Sequence, residues 1–293
     1  MNETQTKASP QYSRKTTLFA MLGLMTTSLT WGSTFPAGKY ALQFMSPFYL
    51  MGFRFLLAFA FMAVLFRKAL FNARLTDMSG GIFAGLAMFG GYILQIYGLQ
   101  FTTAGKQSFL AAAYVIFVPF LTWAVFRKSP SVRAYAGTAV CFLGVSLISL
   151  TEKLTISFGD SLTLISSALY AAHIVITGYF AHRQDAGVFT AVQFGVCGML
   201  AMIMALMFSP APALALNGGV LSIIYLAVFG SFVAYYLQTI CQKYVKPSTT
   251  SIILSMEAVF GSLLSVLLLG DAFTAKMALG AALILGSIWI SEE

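Results

Sequence analysis

Long stretches of the sequence carry no formal charge, and this feature limits the folds open to the chain more than any other. Residues 186–242 contain no Lys, Arg, Asp or Glu. A water-soluble domain cannot bury such a stretch, whereas a lipid bilayer accepts helices of about 20 mostly apolar residues. Of the 293 residues, 59% are hydrophobic and 9% are charged, against roughly a quarter charged in soluble domains. The composition therefore excludes a soluble globule and a disordered chain, and it predicts a polytopic membrane protein.

Ten segments are long and apolar enough to be predicted as membrane-spanning helices. They are residues 18–41, 48–66, 80–99, 105–126, 134–150, 160–180, 188–208, 221–240, 248–269 and 275–290. The connections between them are short, so no sizeable soluble domain is expected. The first span follows a polar, basic tail of residues 1–17, and it is too long for the core of a signal peptide. We therefore expect it to be retained in the mature protein.

Basic residues mark one side of the predicted helix bundle. Twelve of the 17 Lys and Arg residues fall in the N-terminal tail and in the loops after spans two, four, six and eight. The opposite side has Lys39, Lys106, Lys153 and Lys276. The positive-inside rule then predicts a multi-pass protein of the plasma (inner) membrane with both termini in the cytoplasm. The same rule accounts for the net charge of +8, so the expected partner is the lipid bilayer and not a nucleic acid.

The second half of the sequence can be set in register with the first by superposing Tyr235 on Tyr92. Identical residues then coincide at several further positions, among them Gln95 with Gln238 and Gly137 with Gly280. A small gap in this register would also set Trp31 against Tyr170 and Thr34 against His173.

The coinciding span boundaries predict two five-helix repeats, residues 18–150 and residues 151–293. Because five is an odd number, two such repeats must have opposite orientations in the membrane, which is the inverted-repeat design of secondary transporters. The predicted fold is therefore all-α, with ten transmembrane helices built as two inverted repeats. A substrate site is expected near the midplane, where the halves meet.

Several short motifs resemble those of a known family. In the first half they are Trp31-Gly-Ser-Thr-Phe, Arg54-Phe-Leu-Leu-Ala, Thr102-Thr-Ala-Gly-Lys and Tyr114-Val-Ile-Phe-Val-Pro; in the second half they are Glu257-Ala-Val-Phe, Leu269-Gly-Asp and Gly280-Ala-Ala-Leu-Ile-Leu-Gly. With these motifs the chain from residue 18 to residue 290 resembles the ten-span EamA-type members of the drug/metabolite transporter superfamily. The resemblance implies transport of small organic metabolites, and members of the family include amino-acid exporters. The chain departs from the family pattern at Ala258, where Pro is usual, and at Asp271, where Glu is more usual.

Two ionisable residues are predicted inside the membrane, where such groups are costly and are functional candidates by default. Glu257 lies ten residues into its predicted span. Its carboxyl group could exchange a proton or pair with a substrate ammonium, or it could instead bond a neighbouring helix. Arg54 lies six residues into span two. It could bind a substrate carboxylate, or it could tie helices together through backbone carbonyls. If both side chains reach one cavity, a zwitterion such as an amino acid would match them. The expected substrate is therefore a small molecule that is zwitterionic or cationic.

Other polar and aromatic residues extend the predicted substrate site. His173 shares a helix face with Tyr170 and is a second candidate for proton coupling, although an interhelical hydrogen bond is the alternative. Gln95 and Gln238 occupy equivalent repeat positions and could bind substrate or join helices. The predicted substrate-binding set is completed by aromatic residues, because cavities for organic solutes are mostly apolar with a few polar groups. These are Trp31, Tyr92 and Tyr114.

The leading hypothesis is a secondary transporter that moves small organic metabolites, amino acids or related compounds favoured, by alternating access as an exporter or exchanger. A passive channel is one alternative. An integral membrane enzyme is another, but it needs a catalytic cluster, and the sequence has two histidines and no HExxH, GxSxG or paired Asp pattern. No cofactor or metal is expected, because Cys141, Cys197 and Cys241 form no CxxC pair. A monomer is the default expectation.

Overall fold

Helices are the only regular secondary structure in the described part of the chain. A computed structural model describes residues 13–101, 110–127, 129–149, 157–212, 218–269 and 274–291, and no strand occurs among them. The helices are α1 (Arg14–Ala41), α2 (Pro47–Leu65), α3 (Arg67–Asn72), α4 (Leu75–Leu99), α5 (Tyr114–Phe126), α6 (Val132–Ser149), α7 (Phe158–Phe180), α8 (Ala186–Phe208), α9 (Gly218–Cys241), α10 (Pro247–Leu254), α11 (Met256–Leu269) and α12 (Ala275–Ser291). Several residues on which the sequence predictions drew lie outside the described ranges, namely Lys7, Lys106, Lys128, Lys153 and Asp271.

Side-chain caps set the start of several helices, because the first backbone N–H groups of a helix lack partners within it. Ser46 caps α2, whose first residue is Pro47, a residue preorganised for that position. Ser157 and Asp160 form a reciprocal capping box at α7. Asp185 accepts hydrogen bonds from the N–H groups of the first turn of α8. These capping residues lie in the short polar segments that separate the apolar runs, so the helix starts are marked locally in the sequence.

Five of the described helices are long and apolar enough to cross a membrane: Pro47–Leu65, Leu75–Gly98, Phe158–Phe180, Ala186–Phe208 and Gly218–Cys241. Shorter apolar helices cover Leu110–Phe126, Val132–Leu147 and Ala275–Ser291. Large apolar side chains such as Phe19, Leu206 and Trp289 are strongly exposed on the outside of the bundle. A bilayer solvates such a surface, whereas water does not. The chain is therefore a multi-pass membrane protein in contact with lipid.

Small residues allow two pairs of helices to pack closely. Between α6 and α12, a Cβ atom added at Gly137 would lie 2.9 Å from the backbone carbonyl oxygen of Ser287, and one at Gly144 would lie 2.7 Å from that of Gly280. In the register that superposes Gly280 on Gly137, these two contacts exchange places. Helices α2 and α8 pack in the same manner through Gly195 and Gly198.

The helix bounds of the two predicted repeats can be compared, and the offset between them changes along the chain. Helix α1 ends at Ala41 and α7 at Phe180, so the first helices of the halves are 139 residues apart; we name this offset the short register. Helix α5 begins at Tyr114, 143 residues before Glu257 in the first turn of α11; we name this offset the long register. Helix α8 begins 139 residues after α2, and α9 begins 143 residues after α4. The small gap expected from Trp31 and Tyr170 therefore lies between the second and third long helices of a half.

Helix α9 differs from its equivalent, α4. Its middle, Leu226–Val233, is a π-helix, whereas α4 is α-helical throughout. π-Helical turns are rare and occur frequently at functional sites. This segment borders the cavity described next.

Candidate functional site

A cavity of about 110 Å³ lies in the middle of the bundle. Its walls come from both halves of the chain, and it extends towards the side where α1 ends and α2 begins. Seven of the eight residues predicted for the substrate site line it: Trp31, Arg54, Tyr92, Gln95, Tyr114, His173 and Glu257. Gln238 lies outside the cavity and is fully buried. The sequence thus predicted seven residues that lie together at this cavity, but not the separation of Gln238 from it.

Glu257 is buried at the cavity, with 7% of its surface exposed. The hydroxyl of Tyr114 donates a hydrogen bond to its Oε1 at 3.3 Å. The sequence predicted one continuous span around Glu257, but the structure divides that span at Ser255, between α10 and α11. Glu257 therefore lies in the first turn of α11. The backbone of Ser255 keeps right-handed helical angles, so the interruption is a single turn residue and not an unwound segment.

Arg54 is 7% exposed and binds the π-helical segment of α9. Its Nε donates to Ser231 Oγ at 2.7 Å, and its Nη2 donates to the Gly230 carbonyl at 2.9 Å. Its guanidinium carbon lies 5.2 Å from the ring centres of both Phe55 and Tyr92. Within the described residues no carboxylate is paired with it. Of the two roles predicted for Arg54, the helix-tying one is visible in these bonds, while the side chain also lines the cavity.

The Gly230 carbonyl receives a second side-chain donor, Trp31 Nε1, at 3.1 Å. Two donors at one carbonyl compete with the regular backbone ladder, which gives a physical reason for the wider π turn at this point. A Cβ atom at Gly230 would lie 2.6 Å from Thr34 Cγ2, so the close approach of α1 and α9 requires glycine here. Sequence patterns contain no signal for such a turn.

Aromatic side chains from both halves meet at the centre. Tyr92 and Tyr235, equivalent in the long register, share a hydrogen bond of 3.0 Å between their hydroxyl groups. Phe55 and Phe194, equivalent in the short register, stack with ring centres 5.9 Å apart. Two further contacts are repeat equivalents of each other. The ring centre of Trp31 lies 4.8 Å from that of Tyr235, and the ring centre of Tyr170 lies 5.4 Å from that of Tyr92. Tyr170 and Tyr235 were absent from the predicted set, although the repeat register could have supplied both.

His173 is buried at the cavity wall, and its Nε2 lies 2.9 Å from Gln193 Oε1. This is the interhelical bond expected as the alternative to proton coupling. Gln193 is the equivalent of Arg54 in the short register, so the amide occupies the position that the guanidinium has in the other half. Gln95 also has a partner, because the Tyr170 hydroxyl donates to its Oε1 at 2.7 Å.

No group of three or more His, Cys, Asp or Glu side chains that could hold a metal ion occurs in the described ranges. Cys141, Cys197 and Cys241 are all buried and free.

The helical bundle, its lipid-facing surface and its central, mostly apolar cavity together define a membrane protein of the transporter class. The chain belongs to the EamA-like transporter family, which matches residues 18–150 and again residues 157–291. A membrane transporter role follows from this membership.

Relatives match over most of their length. A protein from Archaeoglobus fulgidus named "uncharacterized transporter" is 32% identical over 273 residues, covering 93% of this chain and 85% of the relative. The uncharacterized transporter YdfC of Bacillus subtilis is 25% identical over 284 residues, covering 94% and 91%. A solved crystal structure matches with a TM-score of 0.79 at 17% identity, covering 93% of this chain and 96% of that one. This last likeness concerns the fold alone.

Proposed function

We propose that the chain is a ten-span secondary transporter that moves small organic metabolites by alternating access, as an exporter or exchanger. Its two halves, residues 18–150 and 151–293, act as inverted repeats behind the cytoplasmic tail of residues 1–17. The twelve-to-four bias of basic loop residues supports cytoplasmic termini in a plasma (inner) membrane. We treat the working unit as a monomer.

The observation that carries the proposal is the meeting of equivalent residues at the cavity. In a two-fold arrangement each contact has a mate, and residues beside the axis touch their own equivalents. Phe55 with Phe194 and Tyr92 with Tyr235 are such axial contacts. An axis beside the cavity lets the two halves exchange conformations, so that the two sides of the axis open in turn, which is the structural requirement for alternating access.

The cavity supports amino acids or related zwitterions as substrates. It combines the guanidinium of Arg54 and the carboxyl of Glu257 with aromatic walls. One water molecule requires about 10–15 Å³, so about 110 Å³ holds roughly seven to eleven atoms of that size. That is the size of a small amino acid. Glu257 and His173 are the candidates for proton coupling.

Counterflow in proteoliposomes tests the proposal. Proteoliposomes that contain the purified full chain are loaded with unlabelled solute. They are then offered labelled amino acids, quaternary amines or sugars, with and without a pH gradient. We expect accumulation of at least one zwitterion, and loss of that accumulation in Glu257→Gln. Asp77→Asn is the control, because Asp77 caps α4 away from the cavity. Equilibration without accumulation would identify a passive channel, and exchange of no solute in the panel would contradict the proposal.

A further inference from the structure

Five buried polar side chains lie between the floor of the cavity and the opposite side of the bundle. They come from the end of α7, the start of α8 and the end of α9, and their exposure is 0–1%. The residues are Thr177, Thr190, Gln193, Gln238 and Thr239. We name this group the polar column. None of its members lines the cavity, and its own residues carry no formal charge.

Each member of the polar column is the repeat equivalent of a residue that lines the cavity. The short register relates the members in α7 and α8 to their equivalents, and the long register relates the members in α9. In the same order, the equivalents are Gly38, Met51, Arg54, Gln95 and Ile96. The polar column therefore occupies, in the second half of the chain, the place that the cavity wall occupies in the first.

The two equivalent places differ in how they are closed. In the polar column, Thr190 Oγ1 lies 3.2 Å from Thr239 Oγ1, and this contact joins α8 to α9. Their equivalents, Met51 and Ile96, both face the open cavity. Likewise, a Cβ atom added at Gly38 would meet nothing within 4 Å, whereas Thr177, the equivalent of Gly38 in the polar column, is fully buried.

Hydrogen-bonding capacity in the polar column is incompletely used. Thr177 Oγ1, Gln193 Nε2 and Gln238 Oε1 are buried without a hydrogen-bond partner among the described residues. Each such group destabilises the closed arrangement while it stays unpaired and dry. Water or a polar solute entering the polar column would supply the missing partners. Polar residues that only join helices do so by hydrogen bonds across the helices, and unpaired atoms do not contribute to that role.

We infer that the polar column is the second, closed half of the substrate pathway, and that it serves small polar solutes that are neutral or zwitterionic. The inference rests on the proposed function, because it requires the two halves of the chain to exchange conformations. In the exchanged state Thr190 separates from Thr239, and Gln193 takes the place at the pathway wall that Arg54 has now. An uncharged amide there binds a passing carboxylate more weakly than a guanidinium does, which favours release of the solute on that side.

Cysteine accessibility tests the inference. Thr190→Cys and Thr239→Cys are made separately in the full chain with Cys141, Cys197 and Cys241 replaced by Ala, and each variant is first shown to retain counterflow. A membrane-impermeant methanethiosulfonate reagent is then applied to each face in turn. We expect modification from the face on which α7 ends. A minor state populated at about 0.1–10% gives labelling about 10- to 1000-fold slower than that of an exposed thiol.

Two matched positions complete the experiment. Ala191→Cys is the negative control, because Ala191 is as buried as its neighbour Thr190 but packs in the apolar cluster around Phe55. Ile96→Cys is the positive control for the open cavity, because Ile96 is half-buried at the cavity wall and is the repeat equivalent of Thr239. If both threonine variants are as inert as Ala191→Cys while counterflow continues and Ile96→Cys reacts, the polar column is not the pathway. If counterflow is absent for every solute, even with the three native cysteines present, the proposed function itself fails.

Discussion

Replacing Arg54 with glutamine should destabilise the protein, because the guanidinium holds the π-helical segment of α9. The change removes two hydrogen bonds from a charged donor, to Ser231 Oγ and to the Gly230 carbonyl. Such bonds contribute about 1.5–3 kcal/mol each. The contacts with the rings of Phe55 and Tyr92 add about 0.5–1 kcal/mol each. Glutamine restores one neutral bond of about 1 kcal/mol, and removing a buried charge offsets part of the rest. We expect a net loss of about 2–3 kcal/mol.

The assay is reversible unfolding in mixed micelles, run as a double-mutant cycle with Ser231→Ala. Ser231→Ala alone loses one of the two bonds, so its cost should be about half that of Arg54→Gln. In the Arg54→Gln background the same change should cost less than about 0.5 kcal/mol, because its partner has gone. Strictly additive effects, or an Arg54→Gln protein as stable as the wild type, would refute the assignment of Arg54 to the π-helical segment.

Two further changes probe the packing and the site. Gly144→Ala should cost about 1–3 kcal/mol in the same unfolding assay, because its new Cβ would lie 2.7 Å from the Gly280 backbone oxygen. Gly286→Ala is the control: nothing lies within 4 Å of its new Cβ, so the change should be neutral or stabilising by about 0.5–1 kcal/mol. Equal effects at both sites would contradict close packing of α6 and α12. Tyr114→Phe should leave stability within about 1 kcal/mol but raise the KM of counterflow, because Glu257 loses the donor that holds it at the cavity; an unchanged KM would remove Tyr114 from the site.

The helices could be predicted from the sequence because their signals are local. Apolar runs give the helical bodies, and caps such as Ser46 and Asp185 give their starts. The position of Glu257 at a helix start was not predictable in this way. Ser255, two residues before it, continues the helical pattern in sequence, so no local signal marks the interruption there.

The contents of the cavity could be predicted in part. Arg54, Tyr92 and Glu257 stand out because ionisable or aromatic groups at membrane depth are costly or structurally specific. The π-helical turn that Arg54 binds was missed, since it arises from two side chains that meet one carbonyl from a distant part of the chain. Tertiary competition of this kind leaves no periodic trace in the sequence.

Gln95 and Gln238 show a deeper limit. The repeat register makes the two equivalent, yet Gln95 lines the cavity and Gln238 is fully buried. A sequence repeat carries the symmetry of both halves, whereas one conformation opens only one side of the axis. Thr190 and Thr239 close the other side through a single contact between hydroxyl groups, beside unpaired buried polar atoms. Under the proposed exchange of conformations, the unpaired buried groups destabilise this closed side, and a solute that binds the exchanged conformation more tightly shifts the population towards it.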